Sequence, residues 1–372
     1  MEKTMKIAKV DTHLIRLPYT TGGDGNIGNM DWSTLDYVLV RIETADGLVG
    51  WGDAFAYGGT ARAVKALVDH VLAPQILGKD TAAIGQLSYY LQQGNHLVGR
   101  YGITMFGISG IDIALWDLAG KATGQPISTL LGGSRRKEIP AYASLFNYGD
   151  PNQVAEHCQR ALDDGYQYIK LHETSEEAVR AARMALGDGV PLMVDTNCPW
   201  TPWQAQEAAT SFEPYDLHWL EEPIFPPENF ESLNRLGIEV DIPLAAGENA
   251  CTAFEFQQMM NAEAVTYYQP SVTKVGGITE FQKIIAMGNL QGKTIMPHAP
   301  YFGPGLLATL QILSTMPDEC LAESFYYKTL EANLYGDAIK AQGGNIIVPT
   351  GAGLGLDPDP NVIKDYSDKE SE

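Results

Sequence analysis

From about residue 138 onward the sequence repeats one pattern: a short apolar stretch, a polar turn and an amphipathic segment. The centres of successive apolar stretches lie 23 to 27 residues apart, which is the length of one strand–helix unit. These centres are Ala143, Ile169, Met193, Trp219, Ala245, Tyr268, Ile295 and Ala322. A doubly wound sheet is the alternative, but no G-x-G-x-x-G motif follows the first stretch, and eight units exceed what that fold usually needs. The repeat therefore predicts a (β/α)8 barrel.

The segments on either side of the repeat predict additional structure. Residues 1–130 begin with stretches typical of antiparallel strands, joined by turns such as Asp46-Gly47, and continue with helices. We expect them to form an α+β capping domain, followed by the barrel over 131–325 and a C-terminal segment, 326–372, that packs on the cap. The glycine-rich connection Pro18 to Trp32 is either a plain hairpin loop or a mobile lid, and its length favours the lid.

The charge and composition of the chain restrict its partners. Its 25 basic and 46 acidic residues give a formal net charge of −21, which repels nucleic acids and anionic membranes. The N-terminus lacks the pattern of a signal peptide, and no apolar run of about 18 residues suggests a membrane span, so a soluble cytoplasmic protein is expected. The four cysteines are widely scattered and form no C-x-x-C pair, which favours free thiols.

Carboxylates end three consecutive strands of the predicted barrel. Asp195, Glu221 and Glu248 follow the third, fourth and fifth strands at intervals of one strand–helix unit. Because the carboxyl ends of barrel strands meet at one face, these groups should converge there. Three hard oxygen ligands without histidine or cysteine favour Mg²⁺, with Mn²⁺ as the second choice. The alternative is that the acids cap helices or pair with surface bases, and Glu222 is expected to point elsewhere.

Groups able to transfer protons end other strands of the same barrel. The second strand carries Lys170 and His172, two residues apart and therefore on the same side of the strand. His298 follows the seventh strand and Glu323 ends the eighth, on a different side of the barrel mouth. His172 is either a base, a substrate contact or a support for Lys170. Glu323 is either a protonated donor, since burial raises the pKa of a carboxyl group, or a carboxylate held by its neighbours.

Several motifs carry a resemblance to a known family. They are "GISGIDIALWDLAGKATGQPISTLLGG", "MVDTN", "WLEEP", "AAGEN", "KVGGITE" and "GLGL". In these motifs and their spacing the chain resembles the mandelate racemase and muconate lactonizing enzyme group of the enolase superfamily, over nearly its whole length. The resemblance implies a cap whose loops set specificity, one magnesium ion on Asp195, Glu221 and Glu248, and removal of the α-proton of a carboxylate substrate.

Two positions depart from the racemase-like branch that the chain otherwise resembles. That branch usually ends its second strand Lys-x-Lys, with the second lysine as the base, whereas this chain has His172 there. The branch also pairs its seventh-strand histidine with an aspartate, whose place is taken here by Ser271. Without that aspartate, His298 is better suited to donate a proton than to abstract one. Lys274 falls in the following loop and receives no role.

These observations predict a magnesium-dependent lyase that dehydrates a sugar acid, an aldonate or aldarate, to a 2-keto-3-deoxy acid. Lys170 or His172 would remove the α-proton, Glu323 would help to stabilise the enediolate, and His298 would protonate the leaving hydroxyl. Racemisation or epimerisation, cycloisomerisation of a sugar-acid lactone, and a catalytically inactive metal-binding homologue are the alternatives. Asn197, Trp200 and Tyr301 are expected to contact the substrate, and the protein is expected to form a homo-oligomer.

Overall fold

The computed structural model describes residues 5–22, 34–57 and 59–368. From residue 23 onward, the predicted lid lies outside the described residues, so its role remains a prediction. The N-terminal part forms an antiparallel sheet of β1 (Ile7–Thr20), β2 (Thr34–Thr44) and β3 (Val49–Ala54). The turn between β2 and β3 is closed by Gly47 at a φ of 86°, which glycine adopts without strain.

The eight predicted barrel strands are present and parallel. They are β4 (Glu138–Ser144), β5 (Ile169–Leu171), β6 (Leu192–Asp195), β7 (Leu217–Glu221), β8 (Leu244–Ala246), β9 (Tyr267–Tyr268), β10 (Thr294–Ile295) and β11 (Ala322–Phe325). Every predicted strand centre falls inside its strand. Neighbours pair in chain order from β4 to β10, and β11 pairs with β4. Between β10 and β11 the Cys320 thiol lies 3.3 Å from the Ile295 carbonyl oxygen. The predicted (β/α)8 barrel is confirmed.

Helices surround the barrel and complete the cap. They are α1 (Ala61–Leu67), α2 (Ala73–Ile76), α3 (Ile84–Gly94), α4 (Ile103–Thr123), α5 (Ile127–Leu130), α6 (Pro151–Asp163), α7 (Glu176–Leu186), α8 (Pro202–Phe212), α9 (Phe230–Glu239), α10 (Ala253–Asn261), α11 (Gly277–Gln291), α12 (Pro304–Leu313) and α13 (Pro360–Tyr366). A π-helical turn, Val68–Leu72, joins α1 to α2. Several barrel helices begin with the side-chain caps that the sequence supplies, including the capping box of Thr201 and Gln204.

Helix α4 connects the cap to the barrel. By length and composition it could cross a membrane, which differs from the expectation that no such run exists. However, 78% of its most apolar window is buried inside the protein, as in the core helix of a soluble domain. It packs closely on β3, where a Cβ added to Gly52 would lie 2.1 Å from the Gly110 carbonyl oxygen. Close packing of α4 on β3 therefore requires glycine at position 52.

The C-terminal segment contacts both parts of the protein. Its first strand, β12 (Thr329–Leu330), pairs with the end of β1, and the backbone N–H of Asp368 donates to Leu14 of the same strand. A second short strand, β13 (Asn345–Ile347), pairs with the beginning of β4 in the barrel. The segment thus joins the cap sheet to the first barrel strand. We retain the boundaries at residues 130 and 325 as a proposal.

Candidate active site

Three carboxylates converge at the carboxyl end of the barrel, as the sequence predicted. Asp195 and Glu221 end β6 and β7 and are paired in register, and Glu248 lies two residues beyond β8. Each offers one oxygen atom, and these oxygens all lie within 4.8 Å of one another. Asp195 and Glu221 are fully buried, whereas Glu248 is partly exposed toward the cavities described below. The cluster can therefore bind a metal ion that keeps open positions for a substrate.

Lys170 lies among these carboxylates. Its ammonium nitrogen is 3.3 Å from an Asp195 oxygen, 3.2 Å from a Glu221 oxygen and 2.8 Å from a Glu323 oxygen. Burial acts to lower the pKa of Lys170, but attraction by Glu221, Glu323 and other nearby acidic groups raises it well above its ordinary value. Lys170 therefore stays protonated. It is fully buried and does not line the cavity that holds the two histidines.

The negative charge of the cluster exceeds what Lys170 balances. Burial and the neighbouring Asp195 raise the pKa of Glu221 well above its ordinary value, although Lys170 opposes them. Burial also acts to raise the pKa of Asp195, but Lys170 and His172 lower it to about 2. Asp195 is thus held ionised, while Glu221 retains a proton. Hard oxygen donors with this surplus of negative charge fit a divalent cation such as Mg²⁺.

Glu323 is held as a carboxylate by its neighbours, which is the second of the two alternatives that the sequence left open. One oxygen accepts from the Ser144 hydroxyl at 2.8 Å and from Lys170, and the other accepts from the Ala299 backbone N–H at 3.0 Å. Burial acts to raise the pKa of Glu323, but attraction by Lys170 and His298 lowers it below its ordinary value. The sequence left both alternatives open because it did not indicate that Lys170 reaches β11.

His172 faces the cavity with one ring nitrogen and is fixed by the other. Its Nδ1 donates a hydrogen bond to the backbone oxygen of Leu145, which can only accept. In the neutral ring the lone pair is therefore on Nε2. This atom lies 3.3 Å from an Asp195 oxygen, so the lone pair is available to a substrate only when Asp195 is engaged by another partner, such as a bound cation. His172 lines a cavity of about 450 Å³ between the barrel mouth and the cap.

His298 has a different hydrogen-bonding environment across the same cavity. Its Nδ1 lies 2.9 Å from the Ser271 hydroxyl and 3.4 Å from the Tyr301 hydroxyl, either of which can donate to it. Its Nε2 lies 2.7 Å from a Glu248 oxygen, which as a carboxylate can only accept. In the neutral ring the proton thus belongs on Nε2, which faces the carboxylate cluster. Ser271 also contacts Tyr301, so the serine and the tyrosine together hold the imidazole.

The residues predicted to contact the substrate separate into two groups. Asn197 and Tyr301 line the 450 Å³ cavity. Trp200 is not among the described residues that line it. The chain at Trp200 pairs with Ile224, and the indole packs against Phe212 with ring centroids 6.2 Å apart. Trp200 therefore belongs to the packing beneath the mouth.

Two residues without a predicted role lie beside the cluster. Lys274 is buried, and its ammonium is 3.3 Å from a Glu248 oxygen and 4.7 Å from the centre of the Phe55 ring. Glu222 is not one of the three converging carboxylates, and both of its oxygens accept from the Asn249 side chain at 2.9 Å. Both residues line a second cavity of about 720 Å³ that adjoins the first at Glu248. One signal in the sequence could have indicated a role for Lys274: the many carboxylates predicted at the barrel mouth need positively charged partners.

A barrel with three converging carboxylates and two imidazoles at its mouth is an arrangement typical of enzymes that abstract protons next to carboxylates. Comparison with known proteins agrees with this class. Residues 153–362 match the family described as enolase C-terminal domain-like, and residues 26–132 match the mandelate racemase and muconate lactonizing enzyme N-terminal domain. The chain belongs to the mandelate racemase and muconate lactonizing enzyme family of the enolase superfamily.

Its relatives include enzymes named for different reactions. The chain is 30% identical to arabinonate dehydratase of Saccharolobus solfataricus, with 90% of this chain and 91% of that protein covered. It is 29% identical to D-galactarolactone cycloisomerase of Agrobacterium fabrum, covering 97% and 99%. Among solved structures, a racemase from Streptomyces coelicolor with bound magnesium superimposes with a TM-score of 0.87 at 29% identity, covering 97% and 100%.

Proposed function

We propose that this protein is a magnesium-dependent dehydratase of a sugar acid. Asp195, Glu221 and Glu248 are the residues that would hold the ion, and Mn²⁺ is a second cation that such oxygen ligands accept. When bound, the metal supplies positive charge that binds the substrate carboxylate and stabilises the enediolate formed by loss of the α-proton. Support comes from the three converging carboxylates and from the relative that is named a dehydratase.

The observation that carries the proposal is the opposite hydrogen bonding of the two imidazoles. The backbone oxygen behind His172 holds the Nδ1 proton and leaves the lone pair of the neutral ring on Nε2, so His172 would act as the base once a bound metal engages Asp195. The hydroxyls behind His298 allow its Nε2 atom to carry a proton, which makes His298 the acid. A base and an acid on different groups are what elimination of water requires. Racemisation is less well supported, because it needs either group to act as the base.

The steps then follow from these positions. His172 accepts the α-proton, and the electron pair of that C–H bond becomes the new double bond. His298 donates its proton to the β-hydroxyl, which leaves as water, and the resulting enol rearranges to the 2-keto-3-deoxy acid. Lys170 is not the base in this proposal, because it is protonated and buried among the carboxylates. Its charge lies among the carboxylates that would hold the metal, and it would add to the positive charge that stabilises the enediolate.

Cycloisomerisation of a sugar-acid lactone is the second candidate. It uses the same base, and the leaving oxygen that His298 protonates is that of the ring ester rather than a hydroxyl. The relative named D-galactarolactone cycloisomerase, which matches 97% of this chain, favours keeping this candidate. The two reactions differ in substrate and share the roles of the two histidines.

The test is a screen of aldonic acids, aldaric acids and their lactones with Mg²⁺, reading both 2-keto product and incorporation of solvent deuterium at the α-carbon. For the best substrate, His298→Asn is expected to abolish elimination yet retain slow α-proton exchange, because His172 remains. His172→Asn is expected to abolish both. Unaffected turnover in His298→Asn contradicts the assignment. A metal-dependent thermal shift without turnover of any compound indicates the catalytically inactive homologue instead.

We include three further expectations in the proposal. The substrate is a small carboxylate, and the net charge of −21 argues against nucleic acids and membranes as partners. The protein is expected to act in the cytoplasm. It is also expected to form a homo-oligomer, which light scattering coupled to size-exclusion chromatography measures directly.

A further inference from the structure

Exposed hydrophobic side chains are concentrated on one part of the cap. Within the described chain, seven of the fifteen large hydrophobic side chains that are exposed lie between residues 77 and 103. They are Leu77, Tyr89, Tyr90, Leu97, Val98, Tyr101 and Ile103. The side chains of Leu97 and Val98 are 88% and 66% exposed. A concentration of this kind on a folded protein marks a surface that binds a partner.

The same segment borders a groove between the cap and the barrel. Tyr89 on α3, Phe254 on α10 and Met287 on α11 line this groove, whose volume is about 490 Å³. Arg100 lies in the connection between α3 and α4, close after Leu97, and its guanidinium is 5.9 Å from the centre of the Phe254 ring. The groove and the exposed residues 89–103 therefore form one surface, which we call the α3 face.

The α3 face has little negative charge, in contrast to the chain as a whole. Residues 81–111 contain no aspartate or glutamate, although the chain has 46 acidic residues and a formal net charge of −21. Among the described residues that line the groove, Glu280 is the only acid, and it accepts from Lys283 and Gln92. Two copies of so acidic a protein repel each other. Their repulsion is weakest where surfaces without unpaired acids face each other, which favours the α3 face.

The polar groups of the α3 face are compatible with a second copy of the same surface. Tyr89 and the amide side chains of Gln93 and Gln257 each offer both a donor and an acceptor, so each can pair with its own counterpart. Arg100 lies over the Phe254 ring and donates to Gln92 at 2.8 Å, so its charge is already partnered. A surface of this composition can therefore pack against itself without opposing unpaired like charges.

We propose that the α3 face is the contact surface between two copies of this chain. The contact is isologous: the same residues of both copies meet across a two-fold axis. Because the groove includes residues of α3, α10 and α11, the second copy contacts both the cap and the barrel. This inference rests on the homo-oligomer expected under the proposed function and adds its surface. It does not depend on which reaction the protein catalyses.

The first test uses Leu97→Glu/Val98→Glu, with Met184→Glu/Ile238→Glu as the matched control. The control adds the same two charges at side chains that are 79% and 77% exposed, on α7 and α9. Light scattering coupled to size-exclusion chromatography is expected to give at least two chains for the parent protein and the control. The mass of Leu97→Glu/Val98→Glu is expected to be at most half that of the parent. Because like charges would meet in the contact, its dissociation constant is expected to rise at least about a hundredfold.

The second test uses Leu97→Lys/Val98→Lys alone and in a one-to-one mixture with the glutamate variant. Alone, it is expected to dissociate, because like charges again meet. The mixture is expected to recover the mass of the parent, since opposite charges then face each other across the axis. This recovery also shows that both variants are folded. If the lysine variant alone associates at least as tightly as the parent, the face binds an acidic surface elsewhere and the isologous contact is wrong. A mixture that stays dissociated overturns it equally.

Thermal unfolding at several protein concentrations provides an independent measurement. Association stabilises the folded state by mass action, so the melting temperature of the parent is expected to rise with protein concentration, and that of the glutamate variant is expected to stay constant. If the glutamate variant keeps the mass of the parent, or the control loses as much mass, the homo-oligomer stands and this surface is overturned. If the parent is a monomer, the expected homo-oligomer and this inference both fail, while the proposed reaction is still decided by turnover.

Discussion

The carboxylates of the barrel mouth and those of the cap–barrel junction are buried to a similar extent but differ in their partners. At the mouth, Asp195, Glu221 and Glu323 all lie within 3.3 Å of the Lys170 ammonium. At the junction, Asp53 on β3 and Asp112 on α4 have no lysine or arginine partner within the described part of the chain. The buried carboxyl groups of the mouth therefore share a lysine partner, whereas the described carboxyl groups Asp53 and Asp112 of the junction have no cationic partner.

The difference appears in the protonation of these groups. Lys170 helps to hold Asp195 and Glu323 ionised against the effect of burial. At the junction, burial without a cation raises the pKa of Asp53 and of Asp112 to about 7. The mouth thus gathers oxygen atoms of the kind that divalent cations bind. The junction is sensitive to pH.

The largest expected effect follows from removing the cation at the mouth. Lys170→Met leaves several buried carboxylates without their shared partner, so the free energy of unfolding in EDTA is expected to fall by roughly 3–5 kcal/mol. Turnover of the best substrate is expected to fall by at least about 10³-fold, because the charge beside the enediolate is lost. Urea denaturation and steady-state kinetics measure the two effects. Added Mg²⁺ is expected to recover part of the stability.

Lys340→Met is the control for this substitution. Its exposed ammonium pairs with the exposed carboxylate of Asp337, so its loss is expected to cost less than about 1 kcal/mol. Equal destabilisation by the two substitutions would show that the paired charges at the mouth contribute no more than a surface pair.

Metal binding provides the next largest effect. Mg²⁺ at about a hundredfold excess over its dissociation constant is expected to stabilise the protein by about 2.7 kcal/mol, because it binds only the folded state. Asp195→Asn removes one of the three converging oxygens and is expected to abolish this gain. Glu222→Gln, outside the cluster of three, is expected to retain it. Thermal unfolding with Mg²⁺ or EDTA provides the comparison, and a full Mg²⁺ effect in Asp195→Asn would remove that residue from the site.

The smallest expected effect is the dependence of stability on pH at the junction. Asp112 has a pKa of about 7 in the folded protein because it is buried, against an ordinary value of 3.8. Between these values the folded state binds a proton that the unfolded state releases, so this contribution to stability decreases as the pH rises from about 4 to about 7. Asp112→Asn is expected to flatten this dependence and, at pH 8, to stabilise the protein by on the order of 1 kcal/mol.

Urea denaturation at pH 5 and pH 8 measures this difference. Asp188→Asn, on the exposed surface, is the control and is expected to leave the dependence unchanged. If the stability of Asp112→Asn falls between pH 5 and pH 8 as much as that of the parent protein, Asp112 is not the group responsible.

Local patterns predicted the barrel and the three carboxylates. About 25 consecutive residues are enough to indicate where each strand lies and where it ends. The carboxyl ends of the strands of a barrel must then meet at one face. The protonation state of Glu323 was left open by the sequence, because it depends on Lys170, more than 150 residues away in sequence. Trp200 follows the same strand end as Asn197, but its indole packs against Phe212 and it is not among the described residues that line the cavity.

The sequence by itself therefore determined the class of fold, the family and the set of groups able to bind a metal or move a proton. The tertiary structure decided how these groups are connected. It placed Lys170 among the carboxylates and gave the two imidazoles opposite hydrogen bonding. The physical reason is that charge and hydrogen-bonding state depend on neighbours distant in the chain, which periodicity and spacing do not specify.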